Sequence, residues 1–362
     1  MPFGLYIHIP YCISKCRYCD FYSFGGNRSV PEEYIDALVR ELWRHSPCGS
    51  TPLRPDTVYL GGGTPSLLTP AQVTRLLSTA GPLPGAEITL EANPGDLTPE
   101  NLDSFLKAGV NRLSIGVQTA DDESLKRLGR RHTASQARAA IRAAKAAGFA
   151  NISGDLMLAL PGYTKDECRA SIALLAEEGV THVSSYLLKL EENTAFAVHP
   201  PKDLPSGDTA AEFYLFAVEE LDKAGYRQYE ISNFAVPGYE SRHNMIYWHC
   251  DDYLGVGPAA HSCIGGKRFF YPTNLKEFLA GPPPLFSEGE CDATDYIMLR
   301  LRLAQGLDLE ALDTEYGIVW GEDKRAFLRQ CAQAGLCTFD EKCLKLLPKG
   351  MLVQNSILCR LL

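Results

Sequence analysis

The chain has 362 residues, 45% of them hydrophobic and 22% charged, a globular composition that excludes a disordered, collagenous or coiled-coil polypeptide. Acidic residues outnumber basic ones 44 to 35, for a net charge of −9, so the chain is no general binder of nucleic acid or of anionic membrane. No apolar run approaches the roughly 20 residues that span a bilayer, and residues 1–10 lack the n-region and h-region of a signal peptide and the Arg-rich helix of a transit peptide.

Taken in chain order, short β-branched or aromatic runs at 4–9, 57–60, 87–91, 112–117, 152–158 and 182–187 read as strands. Helical spacing of apolar residues fills the gaps at 32–43, 70–79, 99–107, 134–147 and 165–178. Thr69-Pro70 and Thr98-Pro99 each place a capping oxygen before a first-turn proline. Thr133 with Gln136, and Thr164 with Glu167, have capping-box spacing. Gly109, Gly148 and Gly179 supply left-handed stops. Six β-then-α units imply a parallel sheet with right-handed crossovers, either doubly wound or barrel-like. In both, chemistry gathers at the carboxyl ends of the strands.

Beyond residue 200 the rhythm changes. A helix at 210–224 leads into an aromatic, Gly-rich stretch ending at Tyr271, and Gly281-Pro282-Pro283-Pro284 reads as a linker. The remainder reads as a small α+β unit with helices at 294–304, 309–316 and 324–333 and a terminal strand at 351–359. The expected division is 1–200, 201–284 and 285–362.

Twelve cysteines without an export signal imply a reducing, cytoplasmic setting, where close-set cysteines more often bind metal than pair. Cys12, Cys16 and Cys19 form C-x-x-x-C-x-x-C in the loop after the first strand. Three thiols so close cannot all pair, and so short a loop strains any bridge. Thiolates favour iron–sulfur clusters, zinc and copper(I). A structural zinc site closes with four ligands, often as paired knuckles, and no second knuckle is present. A [4Fe–4S] cube held by three cysteines leaves one iron open to an outside ligand. Zinc with a distant fourth ligand, and three unliganded loop cysteines, are the alternatives. Cys331, Cys337 and Cys343 recur every six residues without metal-site spacing and are expected to be structural.

Candidate partners follow the later strands. Gly61-Gly62-Gly63-Thr64-Pro65 follows the second strand and lets backbone approach a ligand closely. Glu91 ends the third strand, Gln118 the fourth, and Asp155 lies in the fifth, so together they suggest a shared polar site. Arg130 or Arg131 offers a guanidinium for a carboxylate, unless it caps a solvated helix end.

The cysteine spacing, with Tyr18 before the third cysteine, resembles the radical S-adenosylmethionine (SAM) superfamily. Tyr6-Ile7-His8-Ile9-Pro10, Gly61 to Pro65, Glu91-Ala92-Asn93-Pro94, Ser114-Ile115-Gly116-Val117-Gln118, and Asp155 through Leu160-Pro161-Gly162 are similar to the HemN/HemW group. The resemblance covers nearly the whole chain. It implies an α/β fold, a partial (β/α)6 radical SAM barrel with a small α+β HemN-like C-terminal domain. It implies a [4Fe–4S] cluster on Cys12, Cys16 and Cys19, with SAM chelating the open iron and open to cleavage to a 5′-deoxyadenosyl radical. It carries SAM contacts onto Tyr6, Gly62, Gly63, Thr64, Glu91, Gln118, Arg130 and Asp155.

Two departures separate the chain from the coproporphyrinogen III dehydrogenases of that group. It lacks their N-terminal extension, and Cys19-Asp20-Phe21 lacks their fourth cysteine. His243-Asn244-Met245-Ile246-Tyr247-Trp248 matches the H-N-x-x-Y-W motif of the HemW branch. The resemblance therefore implies haem contact at His243, Tyr247 and Trp248. Direct ligation by His243 stays open, with His249, Cys250, His261 and Cys263 as alternative ligands. It further implies a haem chaperone serving apo-haemoproteins, those of the respiratory chain among them, with an electron donor and a homodimer as further associations and no nucleic-acid partner. The alternative is an anaerobic dehydrogenase that removes two propionate carboxylates from coproporphyrinogen III.

Overall fold

Strands form where the β-branched runs lie. In the computed structural model, which describes residues 2–47, 49 and 51–362, β1 (Phe3–Ile9), β2 (Thr57–Gly62), β3 (Glu87–Ala92), β4 (Arg112–Gln118), β5 (Asn151–Leu158) and β6 (His182–Leu187) pair in parallel, each beside its sequence neighbour. Met1, Cys48 and Ser50 lie outside the described residues, so the reading of the N-terminal segment and of the twelve cysteines extends past them. The crossovers are carried by α1 (Glu32–Arg44), α2 (Pro70–Ala80), α3 (Pro99–Ala108), α4 (Asp122–Leu128) with α5 (Ala134–Ala147), and α6 (Lys165–Glu177). Strand order that never reverses has no doubly wound switch point, and this decides for the barrel.

Both ends of the parallel run turn antiparallel. After α7 (Ala195–Val198) and α8 (Gly207–Lys223), β7 (Arg227–Gln228) pairs antiparallel with β8 (Asn233–Ala235), which pairs antiparallel with β6. After α9 (Arg242–His249), β9 (Asp252–Val256) runs parallel to β1. Then β10 (His261–Ile264), β11 (Lys267–Phe270), α10 (Leu275–Ala280) and β12 (Phe286–Glu290) extend the sheet outward. Among the described residues β7 and β12 are opposite edges that do not pair, so the barrel stays open. The aromatic stretch before Tyr271 thus holds strands, and β9 makes the parallel run seven strands long rather than six.

Thr69, Thr98 and Thr133 close full capping boxes with Gln72, Asn101 and Gln136. Thr164 caps α6 in one direction only, through the Glu167 N–H. Gly109 and Gly148 take the left-handed stop at the C-cap, and Gly179, just past the Glu178 C-cap of α6, is left-handed too at φ 65°.

A second hydrophobic cluster forms from Tyr296 onward, built by α11 (Ala293–Arg300), α12 (Leu309–Tyr316) and α13 (Glu322–Gln333) on a small sheet ordered β13 (Leu307–Asp308), β15 (Cys343–Leu346), β14 (Cys337–Phe339). The terminal segment is helical, as α14 (Pro348–Leu352) and α15 (Gln354–Leu361), and not the expected strand. Its buried residues Gln354, Ile357, Leu358 and Leu361 follow helical spacing, which outweighs the apolar content that suggested β structure. The Pro-rich linker is pinned to α1: Arg40 donates to the carbonyls of Phe278 and Gly281 at 2.6 and 2.9 Å, and Arg44 to that of Pro283 at 2.8 Å. Among the described residues no helix is long and apolar enough to cross a membrane.

Where β9 turns toward β10, a Cβ at Gly255 would collide with the His261 carbonyl oxygen. Gly255→Ala is expected to lower the denaturant midpoint by the equivalent of about 1–3 kcal/mol. Gly207→Ala, where a Cβ meets nothing within 4 Å, should stay within about 0.5 kcal/mol of the parent.

Candidate active site

Every second residue of a strand faces the same side, and on the inner side of this barrel those residues are polar. Ser114, Gly116 and Gln118 from β4, Asp155 and Met157 from β5, and Ser184 from β6 line a cavity of about 330 Å³. Its mouth is the loop after β1, and Cys12, Cys16 and Cys19 all border it. Among the described residues no three His, Cys, Asp or Glu side chains close around the position of a single ion. The three thiols instead flank a shared space, which suits a group wider than one metal ion.

The thiols are poorly solvated and unpaired. Burial pushes Cys19 up to about 11 and raises Cys12 as well. Thr64 Oγ1 donates to Cys12 Sγ at 3.4 Å, and Arg130 Nη1 donates to Cys16 Sγ at 3.5 Å. Without a metal Cys12 and Cys19 hold their protons, and a metal must displace them. Three such thiols, with a guanidinium against one of them, fit a soft metal cluster of the expected kind.

The rest of the wall suits an amino-acid zwitterion. Glu91 accepts from the Tyr59 hydroxyl at 2.8 Å and from the Gly62 N–H at 3.0 Å. Burial is the main cause that raises it to about 7, with the nearby Asp155 adding to the rise. Asp155 accepts from Ser114 at 3.0 Å, and burial again raises it, to about 6. Opposite them Arg130 donates to Asn93 Oδ1 at 2.7 Å and to the Gly116 carbonyl at 2.6 Å. Arg131 points away and pairs with Asp96 at 3.0 Å. Gly62 has φ 111°, and a Cβ there would stand 2.5 Å from the His8 ring, so only glycine brings this backbone to the cavity. Gly63 and Thr64 line the wall beside it. Gln118 holds φ 70° without being glycine, a strained conformation of the kind that collects at functional sites.

Some expected residues lie elsewhere. Tyr6 stands behind the wall: its ring stacks on Tyr59 at 6.2 Å and its hydroxyl bonds His8 Nδ1 at 2.9 Å. His243 is buried, with Nδ1 2.7 Å from Thr57 Oγ1 and Nε2 2.7 Å from the Tyr247 hydroxyl. A neutral imidazole has one lone pair, and here a hydroxyl takes it. Burial and the charge of Arg112 lower His243 to about 3. In this fold His243 and Tyr247 bond each other, and neither ring nitrogen of His243 is left free. Trp248 packs under the Arg302 guanidinium at 4.9 Å. Of the motif, Asn244 is the residue that reaches the cavity. Cys331 and Cys337 sit in the second core.

Sequence reasoning missed Arg112, Tyr59, Asn93 and Tyr186, which also line the cavity. Asn93 stands two residues after Glu91, so the period of two would have found it. Arg112 begins its strand, where the carboxyl-end rule does not look. It is 2% exposed, its Nε has no partner, and among the described residues it forms no ion pair.

The chain matches the model of the radical SAM superfamily over residues 6–175 and that of the HemN C-terminal domain over 292–353. It is 41% identical over 318 residues to a protein of Escherichia coli strain K12 named "Heme chaperone HemW", covering 84% of this chain and 83% of that one. A protein of the same name from Bacillus subtilis strain 168 is 34% identical, covering 97% of each chain. In fold the chain is similar to the solved E. coli coproporphyrinogen III oxidase HemN, with a TM-score of 0.84, covering 99% of this chain and 89% of that one at 24% identity.

Carboxyls raised by burial are protonated below their shifted values. An ammonium ligand should therefore bind more tightly as pH rises from 5 to about 7.5, and then level off. Glu91→Gln should flatten that profile and weaken binding about 10-fold at pH 8, read by calorimetry with SAM on anaerobically reconstituted protein. The ligand-free protein has the opposite slope. Its folded state holds extra protons between about pH 4.5 and 7, so its stability should fall with rising pH across that window, and less so in Glu91→Gln.

Proposed function

The chain belongs to the radical SAM superfamily and, within it, to the HemW family, and from that membership we propose that it is a haem chaperone that binds haem and passes it to apo-haemoproteins. The observation that carries this reading is kinship over nearly the full chain with proteins named as haem chaperones, in different bacteria. Family membership implies a [4Fe–4S] cluster and SAM. Cys12, Cys16 and Cys19 would hold the cluster, and Arg130 and Glu91 would receive the carboxylate and ammonium of SAM. Thr64 and the Gly62–Gly63 backbone would frame that ligand, with Gln118 and Asp155 behind it. When bound, the cluster supplies a reducing electron to the sulfonium of SAM.

The protein's own residues hold the site dry and oriented. Thr64 and Arg130 direct an O–H and an N–H group at sulfur, so donors are already in place for the thiolate charge that metal binding would create. Asn93 ties Thr64 to Arg130, accepting from the arginine and donating to the threonine at 3.2 Å. Recipients in the respiratory chain, a reducing cytoplasmic setting, an electron donor and a homodimer complete the proposal. In it the cluster gates haem release.

The test is anaerobic reconstitution, haem loading, and transfer to an apo-haemoprotein followed by the shift of the Soret band. The parent should transfer haem, and a Cys12/Cys16/Cys19→Ala variant should load haem but transfer it at least about 10-fold more slowly. Normal transfer by that variant would remove the gating role. Loss of two carboxylates from coproporphyrinogen III, incubated with reductant and SAM, would overturn the chaperone reading in favour of a decarboxylating dehydrogenase.

A further inference from the structure

Three aromatic rings stand in a row on the outer strands of the sheet, away from the cavity. His261 begins β10, Phe270 ends β11 and Phe286 begins β12. The register pairs His261 with Phe270 and Phe270 with Phe286. Their ring centroids are 5.2 and 5.6 Å apart, with planes inclined by 18° and 29°.

Strand directions locate the row. β9 runs parallel to β1 and β10 runs back against β9. The start of β10 is therefore at the end of the sheet where β1 finishes and the cysteine loop begins. Pairing also fixes the face. Cys263 pairs with Tyr253, Tyr253 with Gly4, and Tyr6 with Tyr59, which lines the cavity. His261 is two residues from Cys263, so it shares that inner face.

The surroundings of His261 differ from those of His243. Its Nδ1 lies 2.9 Å from Glu288 Oε2. A carboxylate there accepts, so Nδ1 carries the proton and the lone pair of the neutral ring is on Nε2. Among the described residues Nε2 has no partner, and the side chain is 53% exposed. An imidazole whose other nitrogen donates to a carboxylate is the arrangement that orients metal-binding histidines and raises their basicity. An exposed His–Glu pair on a polar surface would contribute little to stability. Here the neighbours are aromatic, and Phe286 is left 47% exposed.

We infer that His261 is the axial ligand of the haem iron, with Phe270 and Phe286 as the apolar support beside it. The inference rests on the haem-carrying reading above and names its site. With Glu288 engaged at Nδ1 and no group of three ligating side chains among the described residues, this imidazole is a poor holder of a bare ion, but a porphyrin brings four nitrogens of its own and needs one protein ligand. Phe270 and Phe286, inclined by 18° and 29° along the row, would supply aromatic surface beside the ligand. Cys263, the other ligating atom on this strand, is turned to Cys291, with the sulfurs 3.3 Å apart.

Ferric haem titrated into the anaerobically prepared parent, His261→Ala and Glu288→Gln tests this, read by Soret position and by resonance Raman of the iron–imidazole stretch. His261→Ala should shift the Soret band and lose at least about 10-fold in affinity, and millimolar imidazole should restore the parent band. A residue needed only for folding would not be rescued by imidazole. Glu288→Gln should weaken binding about 10-fold and lower the iron–imidazole frequency while the ring stays in place. If the parent fails to bind haem, the chaperone reading itself falls. If the parent binds and His261→Ala keeps its band and affinity, the chaperone reading stands and this assignment is wrong.

Discussion

Two guanidiniums and two carboxyls share the inside of the barrel, and the rest of the structure is arranged around keeping them there. Arg112 and Arg130 face Glu91 and Asp155 across the cavity without closing an ion pair among the described residues. An isolated buried charge is costly, and such a group either finds a partner or neutralises. The carboxyls are indeed moved toward neutrality by burial, whereas arginine cannot follow. The cavity is therefore held short of full electrostatic satisfaction, and a zwitterion supplies what is missing on both sides. This also accounts for the polar inner faces of β4 to β6, whose small serines leave room for a ligand where a sealed barrel would pack branched aliphatics.

Much of this was legible in the residues. Three cysteines in one loop define a thiol site whatever the fold, because the loop confines them. Glu91, Gln118 and Asp155 sit on successive strands, and a parallel sheet in sequence order brings successive strands together. Thr-Pro caps and glycine stops marked the helices to within a few residues, since these are local backbone rules. What depends on long-range pairing was not readable. The place of β9 beside β1 follows from no local pattern, and neither does the approach of Thr57 to His243, 186 residues apart. The terminal segment suggests a strand only by its apolar content, whereas the spacing of Gln354, Ile357, Leu358 and Leu361 is helical.

The H-N-x-x-Y-W segment carries a haem expectation that comes from the family resemblance, whereas its residue chemistry alone fits a buried histidine among aromatic neighbours. In the fold the histidine joins Thr57 of β2 to Tyr247 and stacks on Tyr59 at 5.1 Å. Tyr59 in turn holds Glu91. His243 thus positions, through Tyr59, the Glu91 carboxyl on the cavity wall, and its low affinity for protons keeps a second positive charge away from Arg112.

The same helix reaches in three directions. Asn244 lines the cavity, His243 grips the barrel wall, and Trp248 packs against Arg302 beside the second hydrophobic cluster. Arg302 is bound in turn through its carbonyl to the Ile231 N–H at 3.0 Å, and Ala304 N–H donates to the Tyr229 carbonyl at 2.9 Å. Glu230, which bridges to Leu303 at that contact, is buried and raised to about 7 by desolvation. Helix α9 is therefore a rigid connection between the cavity and the C-terminal unit. A small displacement at Asn244 has no soft segment in which to dissipate, because packed cores shift between discrete arrangements and do not deform continuously. The sheet provides a second connection, from β1, whose end carries the cysteine loop, through β9 to His261.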